Sequence, residues 1–252
     1  MKPVKALGQH FLRDPEVLTD IAQLADPGAA SRVVEIGPGE GALTAFLAGR
    51  GAPVVALDKD PRAIETLRAR FGNAVDARIG DAAEGDLEAL GSVPGTVYVG
   101  NLPYNVASLI LRRILATGNA WSRAVLMFQH EVAARIVATE NSRVYGIPSV
   151  LTQVRARAWL VREVPPDAFF PPPKVDSSVV LLEPLPEPLV SPQDFPSFER
   201  FLDRAFAMRR KTIGNVLKAE KLHLERLGID PNARAETLSP AMFVALWRSV
   251  DG

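Results

Sequence analysis

Cysteine is absent from the 252-residue chain, which excludes disulfides, thiolate nucleophiles, iron–sulfur clusters and cysteine-ligated zinc. Histidine is scarce: His10, His130 and His223 lie far apart, without the spacing of metal ligands, so no metal site is expected. His130 and His223 read as structural or surface residues. A net charge is also lacking. The 29 basic and 29 acidic residues cancel, which argues against a sequence-blind nucleic-acid binder and leaves room only for a local basic patch. No apolar run approaches the ~20 residues of a membrane span, and the opening MKPVKALGQHFLRDP has no stretch apolar enough for a signal peptide. A cytoplasmic protein with no membrane partner is expected. What the chain does have is 47% hydrophobic and 23% charged residues, a globular composition with material for a sizeable core. Its length suits one large α/β domain with a small appendage.

Strand and helix signals alternate through about the first 180 residues. Asp14-Pro15 opens a helix, an N-cap followed by proline at the first helical position, with Val17, Leu18, Ile21 and Ala22 on one face. Arg32–Ile36 reads as a β-branched strand, Ala42–Arg50 as a helix stopped by Gly51, and Pro53–Leu57 as the next strand. Asp60-Pro61 caps a helix running to Phe71. Further strands are predicted at Asp76–Gly80, Thr96–Gly100, Arg123–Gln129, Ala156–Val164 and Ser178–Leu182, with helices near Val106–Ala116 and Glu131–Ala138. Apolar strands alternating with helices of about ten residues imply a parallel, doubly wound α/β sheet. Residues 183–192 hold four prolines, too many for a strand or helix interior. The boundary is therefore placed there: a catalytic domain over 1–183 and a small helical domain over 184–252. In the latter, Phe198, Phe201, Leu202, Ala205 and Phe206 repeat at helical spacing as core, and Ser239-Pro240 starts the last helix.

Ligands of a doubly wound sheet sit outside the C-terminal ends of its strands, and four motifs fall at such ends. Glu35-Ile-Gly37-Pro-Gly39-Glu-Gly41 turns from strand to helix; glycines admit φ > 0 and close ligand approach, though such turns are also common as plain connections. Asp58, 21 residues beyond Gly37, stands where an acid accepts hydrogen bonds from ribose hydroxyls; the alternative role of helix cap belongs to Asp60. Gly80-Asp81-Ala82 places a carboxylate for an adenine amine, or a mere turn residue. The glycine spacing departs from the G-x-G-x-x-G cradle of a pyrophosphate, and a nucleoside carrying an amino-acid tail suits it better. The set points to S-adenosylmethionine rather than NAD.

The fourth motif, Asn101-Leu102-Pro103-Tyr104, follows the strand Val97–Gly100. The lone pair of adenine's exocyclic amine is delocalised into the ring and attacks a sulfonium methyl poorly. The Asn101 side-chain oxygen and the Leu102 carbonyl offer two acceptors for the amine hydrogens, which favours a pyramidal nitrogen with its lone pair aimed at the methyl. Pro103 rigidifies the turn. Tyr104 supplies a face on which a flipped-out base stacks, at roughly 1–3 kcal/mol per base. Positioning does most of the work, with no metal or covalent intermediate.

With these motifs the chain resembles the KsgA/RsmA-type ribosomal RNA adenine dimethylases. The resemblance runs through Leu7-Gly8-Gln9-His10-Phe11-Leu12, the 35–41 and 80–82 motifs, Asn101–Tyr104, Ala168-Phe-Phe-Pro-Pro-Pro-Lys-Val-Asp-Ser177 and Arg209-Arg-Lys-Thr212, nearly the whole length. It implies a Rossmann-like class I S-adenosylmethionine-dependent methyltransferase sheet with a small C-terminal helical domain. The implied reaction is dimethylation of two adjacent adenosines in the 3′-terminal hairpin loop of small-subunit (16S) rRNA, on RNA or a pre-30S particle, in ribosome biogenesis by a monomer. Gln9, His10, Leu12, Glu35, Gly37, Gly39, Asp58, Asp81, Ala82 and Asn101 would line the cofactor site. Asn101, Leu102, Pro103 and Tyr104 would hold the base, and Phe169 would close over its other face while Phe170 packs. His10 replaces an asparagine often found in the family, and Asp58 a glutamate.

The 197–226 stretch carries eight basic against four acidic residues. Arg209 returns to the apolar face of the 198–206 helix, so either the helix ends near Met208 or Arg209 reaches past it. Arg209, Arg210 and Lys211 then serve phosphates or form a solvated charge run; the resemblance favours RNA. Lys2, Lys5 and Arg13 add a second positive spot. An Erm-type large-subunit rRNA methylase would share the base-pocket motifs, but the NLPY, PPPKV and RRKT spellings lean away from it. A DNA adenine methylase usually carries an aspartate-led fourth motif. A non-catalytic ribosome-assembly factor would not need Asn101 and Asp58 intact.

Overall fold

The computed structural model describes residues 3–4, 8–118 and 120–251; Lys2, Lys5 and Leu7, named above, lie outside them. Among the described residues there are nine strands: β1 (Phe11–Leu12), β2 (Arg32–Ile36), β3 (Val54–Asp58), β4 (Val75–Ile79), β5 (Thr96–Asn101), β6 (Trp121–Gln129), β7 (Ala156–Val164), β8 (Phe169–Phe170) and β9 (Ser177–Pro184). Seven of them form one sheet in the order β4-β3-β2-β5-β6-β9-β7. The chain leaves β2 toward β3 and β4 on one side, then returns to β5 and β6 on the other, all parallel. That reversal opens a crevice at the C-terminal ends of β2 and β5. The fold is Rossmann-like.

The central strands are buried on both faces. Val33, Val34, Ile36, Val97, Tyr98, Val99 and Ala124–Phe128 are all nearly inaccessible, which is why they read as continuous apolar runs. At the edge, β7 alternates between exposed and half-buried residues.

The sheet departs from the all-parallel expectation at β9, which runs antiparallel to β6. Parallel neighbours need a crossover of a dozen or more residues, usually helical. The chain enters β9 from its edge neighbour β7 through 165–176, a connection with three consecutive prolines and no α-helix. The helix expected over 42–50 shrinks to Thr44–Leu47, flanked by turns with Gly41, Gly49 and Gly51 at positive φ.

The chain divides into two compact units, Met1–Ala133 with Trp159–Pro184, and Ala134–Ala158 with Leu185–Gly252. The helical unit thus takes in a segment that a single cut at 183/184 assigns elsewhere. Long-range hydrogen bonds bring it there: Tyr145 Oη to the Leu238 carbonyl at 3.0 Å, Arg155 Nη1 to the Val190 carbonyl at 2.9 Å, and Leu185 N to the Arg155 carbonyl at 2.9 Å. In the same unit the helix Phe195–Phe206 buries Phe195, Phe198, Phe201, Leu202 and Ala205. It stops before Met208, and turns follow.

Candidate active site

The loop after β2 is built on glycines in the left-handed region: Gly37, Gly39 and Gly41 have φ of +70°, +55° and +77°. At Gly39 a Cβ would also stand 2.8 Å from Phe11 Cε1. The loop therefore lies directly beneath the segment carrying β1, a contact only glycine permits. Below it Glu35 is 1% exposed and accepts a hydrogen bond from Thr44 Oγ1 at 2.6 Å. Burial, reinforced by the nearby Asp58 charge, pushes its carboxyl up to about 7.

Asp58, at the tip of β3, accepts from Gly39 N at 3.2 Å on one oxygen and from Asp60 N at 2.9 Å on the other. Desolvation raises its pKa. An ionised carboxylate has about four acceptor sites, so two backbone donors leave capacity for ligand hydroxyls. Asp81 follows β4, accepts from Ala83 N at 2.9 Å, and faces Lys59 Nζ at 3.7 Å. Asp58, Lys59, Asp81, Ala82, Pro103, Val106 and Ile110 line one narrow slot. It adjoins a second hollow whose walls are Gly8–Phe11, Gly37, Gly39, Asp58 and Asn101–Tyr104. A third hollow, walled by Leu12, Arg13, Glu35 and Pro38, shares Phe11, Gly37 and Asn101 with the second.

Asn101 ends β5, and its Nδ2 donates to the His10 carbonyl at 2.7 Å. A carbonyl only accepts, so the contacting atom is the NH2 group and the amide oxygen is turned the other way. The side chain is thus fixed by a contact 91 residues away in sequence. Leu102 anchors the turn with a buried side chain, 1% exposed, and the Pro103 carbonyl accepts from Val106 N at 3.1 Å. Tyr104 shares a 2.7 Å hydrogen bond with Ser177 Oγ, and burial raises its pKa. The His10 ring stacks on it, centroids 5.6 Å apart and planes inclined by 20°. His10 Nδ1 lies 2.7 Å from the Pro171 carbonyl and must donate to it.

Three expectations shift. Phe169 pairs with Leu12 across the β1–β8 ladder and is packed in the core at 4% exposure; the ring turned outward is Phe170, 48% exposed, with the Arg13 guanidinium 4.3 Å above it. Successive strand residues point to opposite faces, so the register that buries Leu12 buries its partner. Gln9 has both ends of its amide engaged within the protein, Oε1 by Val4 N and Nε2 by Asp60. Arg209 Nη2 donates to the carbonyls of Arg143 at 2.6 Å and Tyr145 at 3.2 Å, so this guanidinium braces a loop. Arg210 and Lys211 beside it are exposed. Sequence reasoning missed Lys59, Ser177 and the Pro171 carbonyl. Only Lys59 had a signal, a lone cation between Asp58 and Asp60.

Comparison with known proteins places the chain in a family. The family model described as Ribosomal RNA adenine dimethylase matches residues 2–251. The Ribosomal RNA small subunit methyltransferase A of Geobacter sulfurreducens is 43% identical, covering 98% of this chain and 94% of that protein. The protein of the same name from Anaeromyxobacter sp. strain K is 40% identical, covering 99% and 94%. Among solved structures, a dimethyladenosine transferase from Plasmodium falciparum superposes with TM-score 0.83 at 25% identity, covering 96% of this chain and 98% of the other. The 23S rRNA methyltransferase ErmE gives 0.72 at 25% identity, covering 96% and 100%.

Proposed function

Because the chain belongs to the ribosomal RNA adenine dimethylase family, we propose that its cleft works on adjacent adenosines of small-subunit rRNA, with the named residues as follows. The enzyme is an S-adenosylmethionine-dependent rRNA adenine methyltransferase. The donor supplies an electrophilic methyl group on a sulfonium. The residues present fit it: the glycine loop 37–41 carries an acid, Glu40, and no basic residue, which suits a ligand without phosphates, and two carboxylates stand one strand apart along the slot. Asp58 accepts from the ribose hydroxyls with its remaining lone pairs, and Asp81 accepts from the adenine amine. Gly37, Gly39 and Ala82 line the path, Leu12 walls it from behind, and buried Glu35 holds the loop through Thr44.

At the mouth, Asn101 Oδ1 and the Leu102 carbonyl accept the two hydrogens of the target amine and turn its lone pair toward the methyl. Tyr104, its plane set by His10 and Ser177, carries the base on its remaining surface. The observation that best supports this reading is the Asn101–His10 hydrogen bond, which engages the NH2 group and leaves the amide oxygen to act as an acceptor. Arg210 and Lys211 are proposed to meet phosphates, with Arg209 shaping the loop beside them. Balanced overall charge suits recognition of a shaped pre-30S surface by a monomer in the cytoplasm; among the described residues no helix is long and apolar enough to cross a membrane.

The test is to supply labelled S-adenosylmethionine with purified small- or large-subunit particles, digest the RNA and map the label. Label on adjacent small-subunit adenosines is expected. Label on the large subunit would favour the Erm-type alternative, and binding without label a non-catalytic assembly factor.

A further inference from the structure

The segment 8–12 crosses the mouth of the cleft, yet its main-chain pairing with the domain is short: Phe11 opposite Phe170 and Leu12 opposite Phe169. Gln9 adds a side-chain tie. Its Nε2 donates to Asp60 Oδ2 at 3.0 Å while its Oε1 accepts from Val4 N at 2.9 Å. Asp60 is 4% exposed and is itself clamped, with Arg62 Nε on Oδ1 at 2.9 Å and Nη2 on Oδ2 at 2.6 Å. A buried charge is costly unless paired and hydrogen-bonded, and here the guanidinium holds the carboxyl at about 2.

Helix capping does not account for this arrangement. The cap uses Oδ1 alone, accepting from Arg62 N at 3.1 Å. Asp14 caps the helix Pro15–Ala25 through Glu16 N and Val17 N and is less buried. At Asp60 the second oxygen is aimed across 51 residues of sequence at the segment that closes the cleft. That segment also supplies the His10 carbonyl that orients Asn101.

We propose that Asp60, clamped by Arg62, is a positioning residue for the methyl donor: it latches Gln9 and so holds residues 8–12 over the bound cofactor. This rests on the reading of the cleft as the donor site. Ordering the segment beforehand removes that entropic cost from binding.

The test is a polarity swap. Asp60→Asn keeps the size and the capping oxygen but sets an NH2 group against that of Gln9 and against Arg62 Nη2, a second loss that a change at position 9 does not repair. Gln9→Glu sets carboxylate against carboxylate. In the double variant the amide introduced at position 60 donates to the carboxylate introduced at position 9, which still accepts from Val4 N. Each single change is expected to weaken S-adenosylmethionine binding roughly tenfold by calorimetry and to speed amide hydrogen exchange at residues 9–12 in the donor-free protein. The double variant should improve both by at least about threefold over the worse single, the remaining deficit reflecting the lost Arg62 Nη2 contact. Singles with parental affinity and exchange, or a double no better than the worse single, would overturn the latch; so would lost thermal stability with both readouts unmoved. Asp58→Ala run alongside separates the premises: parental affinity there, with exchange rescued by the swap, removes the donor half of the proposal and the cleft reading with it.

Discussion

Replacing Asn101 by alanine should separate orientation of the substrate amine from donor binding. The side chain makes two contributions. Its Nδ2 ties down the His10 carbonyl at 2.7 Å, one part-buried hydrogen bond worth about 1 kcal/mol net. Loss of that tie should loosen donor binding by no more than about tenfold. Its Oδ1 is proposed as one of two acceptors for the amine, and a preorganised polar group acting on charge that develops during reaction is worth roughly 3–4 kcal/mol, or 10²–10³ in kcat. Single-turnover transfer at saturating donor on small-subunit particles should therefore fall by at least ~100-fold. Asn101→Asp is the informative companion. It keeps an acceptor in the cleft but sets oxygen against oxygen at His10, a clash relieved only when the carboxyl is protonated and donates. Its rate should rise as pH falls. An alanine variant that turns over within about threefold of the parent, or one whose whole defect lies in donor affinity, would refute this account of the catalytic turn.

Asp58→Ala removes the ribose acceptor and the partner of Gly39 N; calorimetry should show donor affinity weakened at least tenfold, on the order of two lost hydrogen bonds. Glu35 has a folded pKa raised from 4.5 to about 7, so the folded state holds a proton that the unfolded state has lost between those values. Its contribution is fully present below pH 4.5 and is lost as pH rises through 7, about 3 kcal/mol in all at 1.36 kcal/mol per unit. Urea unfolding of Glu35→Gln should lack that slope, and parallel pH profiles for the two proteins would contradict it. Arg210→Ala and Lys211→Ala should each weaken RNA binding and lower its salt dependence. Arg209→Ala should instead destabilise the helical unit, since its guanidinium serves the Arg143 and Tyr145 carbonyls; thermal melts and salt titrations distinguish the two effects.

Where local chemistry decides, the sequence was readable to the residue. The Asp60-Pro61 cap marks the helix Pro61–Phe71, and the apolar run Arg32–Ile36 ends where Gly37 takes φ +70°. The placement of the proposed cleft residues was legible for a related reason: Asp58 and Asn101 end β3 and β5, Asp81 lies just beyond β4, and Glu35 stands one residue before the end of β2. What long-range pairing decides was not. The two-residue strands β1 and β8 have no periodicity to detect, and the antiparallel entry of β9 depends on a connection whose path no single window contains. The 134–158 segment joins the helical unit through bonds to residues 185, 190 and 238, none of them nearby in sequence.

The Phe169–Phe170 pair shows where that limit touches function. Alternation guarantees that one of two adjacent aromatic residues in a strand points inward, but the phase is set by the partner strand. Here the partner is Leu12, two residues from His10, so a single register fixes three things at once: which phenylalanine is buried, where the His10 carbonyl stands, and how the Asn101 amide is turned. Neither the N-terminal motif nor the proline-rich motif carries that phase alone. It exists only in their pairing, and the orientation of the Asn101 amide therefore belongs to the tertiary structure rather than to the Asn-Leu-Pro-Tyr motif itself.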